Sequence, residues 1–319
     1  MTVHQLTPTR YYYTYAPHEP ALRIHSGDTV IAETRDAFGN DAAGNPMPPH
    51  MKQRIAGGAL RESNPAVGPL YIEEAEPGDL LAIHIERIAL NRSWALSKQG
   101  PNFGSLTGEG PGRLLLYNDP IPELFYTWQL DLARNVGTLE LPNSRLKRVE
   151  APLHPFLGSI GVAPPHGRAE MTLTPGEFGG NMDCVDTCEG VTLYLPVWVK
   201  GGYLAYGDVH ALQGDGELNG TAAECTAEVT LTIDVLKGQR AAWPRIESDT
   251  HIMVAASARP LMDALRLAQI ELLTWLVEGY GFQRQEAWQL NAQVGTMRIG
   301  NVVDPQYTVV AKFPKACLP

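Results

Sequence analysis

The clearest hydrophobic pattern in the chain runs from residue 224 to 235. There Cys225, Ala227, Val229, Leu231, Ile233 and Val235 alternate with Glu224, Thr226, Glu228, Thr230, Thr232 and Asp234. A strict period of two predicts an antiparallel strand with one wet face. The same alternation recurs over 80–88, where Leu81, Ile83 and Ile85 interleave with Ala82, His84 and Glu86. His84 thereby reads as a satisfied face residue and not as a ligand. Shorter apolar runs predict strands over 29–34, 127–132, 139–141, 252–255, 297–302 and 308–310, and Tyr11-Tyr12-Tyr13-Thr14-Tyr15 predicts one near the N-terminus. One segment keeps a different period. Over 259–278 a thin stripe of Asp263, Arg266, Thr274 and Glu278 sits among Leu261, Leu265, Leu272, Leu273, Trp275 and Leu276. It predicts a long, largely buried helix, capped by Ser257 or Asp263 and closed by Gly279-Tyr280-Gly281. A shorter helix is expected over 284–293.

Between these elements the pattern lapses. Residues 39–66 and 91–125 read as long irregular segments, the kind that are often functional. Residues 155–164 hold too many Gly and Pro for a regular element, and predict a shaped loop whose N–H groups could face an anionic intermediate. With 31 Gly and 25 Pro in 319 residues, many turns and short strands are expected. A net charge of -10 argues against nucleic acid and anionic membrane surfaces as partners. No apolar run approaches the ~20 residues of a spanning helix, and the first residues show no signal peptide, so a cytoplasmic protein is expected. Four cysteines do not make a disulfide framework.

The chemistry gathers between residues 179 and 224. Gly179-Gly180-Asn181-Met182-Asp183 precedes an apolar run over 191–199. Gly201-Gly202 then offers a positive-φ turn, and 203–206 returns as the second arm of an expected hairpin that would set Asp208 beside Leu195. Gly207-Asp208-Val209-His210-Ala211-Leu212-Gln213-Gly214-Asp215-Gly216-Glu217 follows. Asp208 and His210 are two apart and share a face on an extended strand. Acids, an imidazole and amides on permissive backbone point to a site rather than a core.

Those two motifs make the chain resemble the acetamidase/formamidase family. Supporting pieces occur in order along nearly the whole length: Gly27-Asp28-Thr29-Val30 with Glu33-Thr34 and Asp36, Asn64-Pro65-Ala66-Val67-Gly68-Pro69, Ala75-Glu76-Pro77-Gly78-Asp79, Pro155-Phe156 to Ala163-Pro164, and Val303-Asp304-Pro305. The resemblance implies hydrolysis of short aliphatic amides to carboxylate and ammonia, a divalent metal (zinc) as cofactor, and a homo-oligomer, dimer or tetramer. It also implies a mainly β fold, an antiparallel β-sandwich or barrel with a C-terminal helical segment. Residues 1–319 would form one unit, with an N-terminal β subdomain over about 1–150 and a catalytic-motif β/α subdomain over about 151–319. Cys184 and Cys188, the Gly-rich stretch 98–111 and the aromatic start depart from the family pattern.

Amide hydrolysis needs an activated water, stabilisation of the carbonyl oxygen and a proton for the leaving nitrogen. Asp183, Asp208 and His210 are expected metal ligands, joined by Asp36 through the resemblance; mixed Asp and His suit a catalytic zinc, and manganese or iron would tolerate them too. Glu217 is the expected general base, with Asp183 and His210 in the catalytic group, and Asn181 and Gln213 as substrate-binding amides. Three alternatives stand beside this reading. The chain could be a silent β-rich small-molecule-binding protein, an amidase for larger or aromatic amides using Tyr11 to Tyr15 or the 98–112 segment, or a thiol enzyme built on Cys184.

Overall fold

The computed structural model describes residues 1–53, 62–101, 103–106 and 122–319. Two large sheets dominate, one of nine strands and one of ten, with a two-stranded sheet beside them. Most of the pairing is antiparallel, and both large sheets draw strands from the first and second halves of the chain. The nine-stranded sheet runs from Val3–Leu6 at one edge to Thr296–Asn301 at the other, so it does not close into a barrel. The sheets pack into a shared apolar core. Leu81, Ile83 and Ile85 of one meet Leu157, Ile160, Tyr206 and Val209 of the other.

The two long alternating patterns become the spine of the nine-stranded sheet. Leu80–Leu90 pairs with Ala227–Leu236 along ten residue pairs, and Asp28–Glu33 flanks the latter. His84 lies on the outer face, bonded to Thr192 Oγ1 at 2.8 Å and Asp234 Oδ2 at 3.2 Å, as the alternation required. The strand His251–Ala258 serves two layers at once. Met253 and Ala255 enter the core between the sheets, while Ile252, Val254 and Ala256 face the helices.

Helix α1 spans Leu261–Tyr280 and ends where Gly281, at φ 72°, donates its N–H to Leu276 O and Val277 O. Neither expected cap is used. Ser257 is bonded to Thr308 at 2.9 Å, Asp263 pairs with Arg266, and the residue before the helix is Pro260. Nor is the helix buried all round. Ala264, Ala268, Leu272 and Leu276 form the buried stripe, whereas Met262 and Ile270 are more than half exposed. Burying each such leucine stabilises the fold by about 1.5–3 kcal/mol. Helix α2, Arg284–Val294, packs beside it, and no helix among the described residues is long and apolar enough to cross a membrane.

Three expectations are corrected. The 191–206 segment is not a hairpin. Thr192–Pro196 pairs with Leu80–Leu90 and Arg245–Glu247, whereas Leu204–His210 belongs to the other sheet, so Asp208 is not set beside Leu195. Gly201 and Gly202 do have positive φ, but their turn passes the chain across the core instead of back along one sheet. A Cβ on Gly201 would meet the Tyr71 ring within 2.1 Å, which leaves room only for glycine. Second, 155–164 is no open loop. Phe156–Gly161 is a fully buried strand paired on both sides, and the Leu157 N–H donates to Thr187 O. Third, the 91–125 stretch is not irregular throughout: it contains the strand Trp94–Gln99, which pairs with Leu124–Asp131, the strand expected over 127–132. Residues 102 and 107–121 of that stretch, and 54–61 of the earlier one, lie outside the described residues.

Candidate active site

The site is built on four adjacent strands of the ten-stranded sheet. Glu224–Cys225, Leu204–His210, Phe156–Gly161 and Gly179–Asn181 follow one another across it, pairing His210 with Glu224, Phe156 with His210, and Ser159 with both Gly207 and Asn181. This order brings Asp208, His210 and Glu224 together and delivers Asp183 two residues after Asn181. Asp183 then anchors through its own N–H to Gly158 O at 3.1 Å. Simple alternation is not how the acids are aimed. Asp183, Asp208 and Glu217 adopt left-handed backbone at φ 45°, 56° and 48°. Such conformations are disfavoured for non-glycine residues and collect at functional sites.

All of these groups are buried. His210 and Asp208 are 1% exposed, Asp183 not at all and Glu224 2%. His210 Nε2 lies 3.5 Å from Asp208 Oδ2 and 3.3 Å from Glu224 Oε2. Asp183 Oδ1, Asp208 Oδ1, His210 Nε2, Glu224 Oε2 and Asp304 Oδ1 have no hydrogen-bond partner. Unpartnered buried polar atoms cost free energy, and several of them converging in one place could be satisfied by a cation. Two triads have donor atoms all within 4.8 Å of one another, Asp208–His210–Glu224 and Asp183–His210–Glu217. An imidazole with two carboxylates is a donor set that fits a divalent ion.

Around them runs a network of amides. Asn64 Nδ2 donates to Asp208 Oδ2 at 2.8 Å and to Asn181 Oδ1 at 3.0 Å. Asn181 Nδ2 donates to Asp183 Oδ2 at 2.9 Å and Asp304 Oδ2 at 2.8 Å, and Ser159 Oγ donates to Asn181 Oδ1. Electrostatics follow from the crowding. Burial, then the charges of Glu217, Asp304 and Asp208, push the Asp183 carboxyl well above its ordinary range. Burial raises Glu217 likewise, with His210 partly offsetting it, and Asp304 is raised to about 7. For His210 burial pulls downward, but Glu224 and Asp208 outweigh it and hold the imidazole well above its usual pKa. Without a cation the cluster therefore retains protons. Asn64, Asn181, Asp208, Glu217, Glu224 and Asp304 all border a cavity of about 380 Å³, with Phe38 and Phe103 also on its wall.

Of the residues expected from sequence, Asp183, Asp208, His210 and Glu217 are brought together. Asp36 is not. It is fully buried, but its carboxylate accepts from Arg92 Nη1 at 2.8 Å and from the Asn40 backbone N–H, also at 2.8 Å. Arg92 in turn donates to Glu224 O at 2.8 Å, so Asp36 braces the strand that carries Glu224. Glu33 is exposed at its strand end. Asn181 borders the cavity, but both N–H donors are taken by carboxylates. Gln213 is placed behind His210, away from that cavity, with its amide N–H groups bonded to Asp183 O and Gly300 O. Tyr11 to Tyr15 are buried in the fold and do not border the cavity.

Sequence reasoning missed Glu224, Asp304, Asn64 and Ser159. The seemingly continuous 224–235 alternation predicts a wet face for Glu224. The chain in fact changes sheet at Thr226, which is fully buried and bonded to Asn91. The available signal was that Glu224 is a lone acid after Ala222-Ala223. Burial and the nearby Asp186 push the Cys184 thiol far above its ordinary pKa, leaving it a poor nucleophile.

With this geometry in view, comparison with known proteins is consistent throughout. A model of the Acetamidase/Formamidase family matches residues 165–317. The crystal structure of an acetamidase from Yersinia enterocolitica superposes with a TM-score of 0.85 at 38% identity, covering 99% of this chain and 93% of that one. An acetamidase from Bacillus halodurans gives 0.80 at 30% identity, over 98% of this chain and 97% of that one. This chain belongs to the acetamidase/formamidase family. A formamidase-like protein of Schizosaccharomyces pombe is 27% identical over 68% of this chain, and the match spans 62% of that relative's length.

Proposed function

We propose that this protein hydrolyses small linear amides of the formamide and acetamide type to carboxylate and ammonia, with a divalent metal, zinc, held by Asp208, His210 and Glu224. The observation that carries this reading is the convergence of unpartnered Asp208 Oδ1, His210 Nε2 and Glu224 Oε2 at the edge of a cavity that Glu217 also borders. When bound, such an ion polarises the amide carbonyl and lowers the pKa of water beside it towards about 7. Glu217, its carboxyl raised by burial, takes a proton from water at a carboxylate oxygen and returns it to the departing nitrogen. Asp183 lies beside Glu217, close enough for their charges to interact, and Asn64 and Asn181 hold the carboxylates in place. The family's names for relatives and the small, walled cavity support the substrate class. We further propose a homo-oligomer, dimer or tetramer.

The test separates ligand from base. Asp208→Asn, His210→Ala and Glu224→Gln each lose bound metal and ammonia release from acetamide together, while far-UV spectra keep their β signature. Glu217→Gln keeps the metal and loses about 10²–10⁴-fold in turnover, the usual worth of a positioned base. Chelation abolishes activity and Cys184→Ser leaves it. Chelator-resistant activity destroyed by Cys184→Ser would overturn the reading in favour of a thiol enzyme.

A further inference from the structure

His210 Nδ1 and Gln213 Oε1 lie 2.9 Å apart, an interaction whose donor depends on the imidazole tautomer. The Gln213 amide settles it. Its nitrogen is 2.9 Å from Asp183 O and 3.0 Å from Gly300 O, two carbonyls that can only accept. Reversing the amide would set an oxygen against both, so the nitrogen must face them and Oε1 must face His210. Oε1 accepts only, hence Nδ1 must carry the hydrogen. The other ring nitrogen, Nε2, is left pointing at Asp208 and Glu224 with no hydrogen-bond partner. Phe156 closes the ring's side with an edge-on contact at 4.9 Å between centroids.

We infer that Gln213 is a positioning residue that fixes a proton on His210 Nδ1 and thereby reserves Nε2 for the cation. The inference rests on the metal reading above, with Gln213 acting behind the ligand and not on substrate. It also ties the site to the C-terminal strand, because Gly300 O holds the amide from Thr296–Asn301. A partner behind a metal-ligating histidine is typically worth about 10–100-fold in metal affinity.

The experiment uses full-length protein with nitrogen-labelled histidine, loaded with a spin-active cadmium isotope, and zinc competition to measure affinity. In the parent, cadmium couples to Nε2 and a slowly exchanging proton remains on Nδ1. Gln213→Leu weakens affinity by about 10–100-fold and loses the protected Nδ1 proton. Cadmium coupled to Nδ1, or Gln213→Leu with unchanged affinity and an unchanged Nδ1 proton, overturns the inference. If the parent binds neither ion, the metal reading itself fails. The metal-free spectrum then decides on Gln213 separately: an Nδ1 proton lost in Gln213→Leu supports the positioning, and its absence from the parent overturns it.

Discussion

A Cβ added to Gly158 would lie 2.8 Å from Asp183 Oδ1, Asp208 Oδ2 and His210 Cε1 at once. Three groups, two from one flanking strand and one from the turn after the other, thus cross over a residue that has no side chain to stop them. Gly158 is needed for the space above it and not for its backbone angle. Gly158→Ala should therefore fold, because the strand's pairing is untouched, while its site groups move apart by a few tenths of an ångström or more. Displacements approaching about 1 Å cost about 10²-fold in rate, so we expect a loss of up to that size in amide turnover, with weakened metal retention. Unaltered turnover with full metal content would show that the groups need not meet over residue 158. At this scale the sequence was a good guide to chemistry and a poor one to neighbours. Asp208 and His210 are legible from spacing. Glu224 was not, because period-two alternation cannot reveal where a strand changes sheets, and nor was the left-handed backbone that aims Asp183, Asp208 and Glu217.

At the scale of elements, regular periodicity translated directly. The 80–88 alternation and the part of the second from residue 227 onward became paired central strands, and the 259–278 helix is offset by two residues at each end, as Leu261–Tyr280. What failed was connection. A positive-φ turn between two apolar runs looks the same whether the chain returns along its own sheet or crosses to another, and only the Tyr71 ring over Gly201 records the difference. The composition of the buried strand Phe156–Gly161 predicts a loop, because its glycines make room for neighbouring side chains and composition cannot distinguish that from turn propensity. The helices also carry the assembly proposal. Met262 and Ile270 on α1, Trp288 on α2 and Met297 on the last sheet edge are all more than half exposed, although the stripe opposite is buried. We propose that copies of the chain meet on this helical side. The parent should sediment above its 34.8 kDa chain mass at micromolar concentration. Ile270→Glu with Trp288→Glu should move it toward that mass and leave the β spectrum intact. A parent already at the chain mass would end the proposal.

For the whole molecule, the site makes stability depend on pH in a definite direction. Asp304, ordinarily at 3.8, is raised to about 7 by burial, and Asp183, Glu217 and Glu224 are raised for the same first reason. A carboxyl whose folded pKa is raised binds its proton more tightly folded than unfolded. Its contribution is fully present below 3.8 and lost as pH climbs to about 7. His210, also raised, adds the same sign above its ordinary 6.5. Opposition within that interval comes from His18 and His251, which burial lowers below their ordinary 6.5, so their contribution is lost as pH falls. Asp28 is taken to about 2 by backbone and His4 hydrogen bonds that outweigh its burial, so its contribution is lost only as pH falls below 3.8. The interval from about 4 to 7 thus belongs mainly to the active-site acids. Chelator-treated protein should lose melting temperature steadily across it. Asp304→Asn keeps an oxygen for the Asn181 N–H and cannot ionise, so it should lose measurably less. Zinc at fixed excess should raise the melting temperature more at pH 7.5 than at pH 5, because binding must displace protons at the lower value. Calorimetry of both proteins, with and without zinc, reads all three effects. Parallel curves for parent and Asp304→Asn would mean that Asp304 is already ionised across the range and that the cluster does not hold the proton assigned to it.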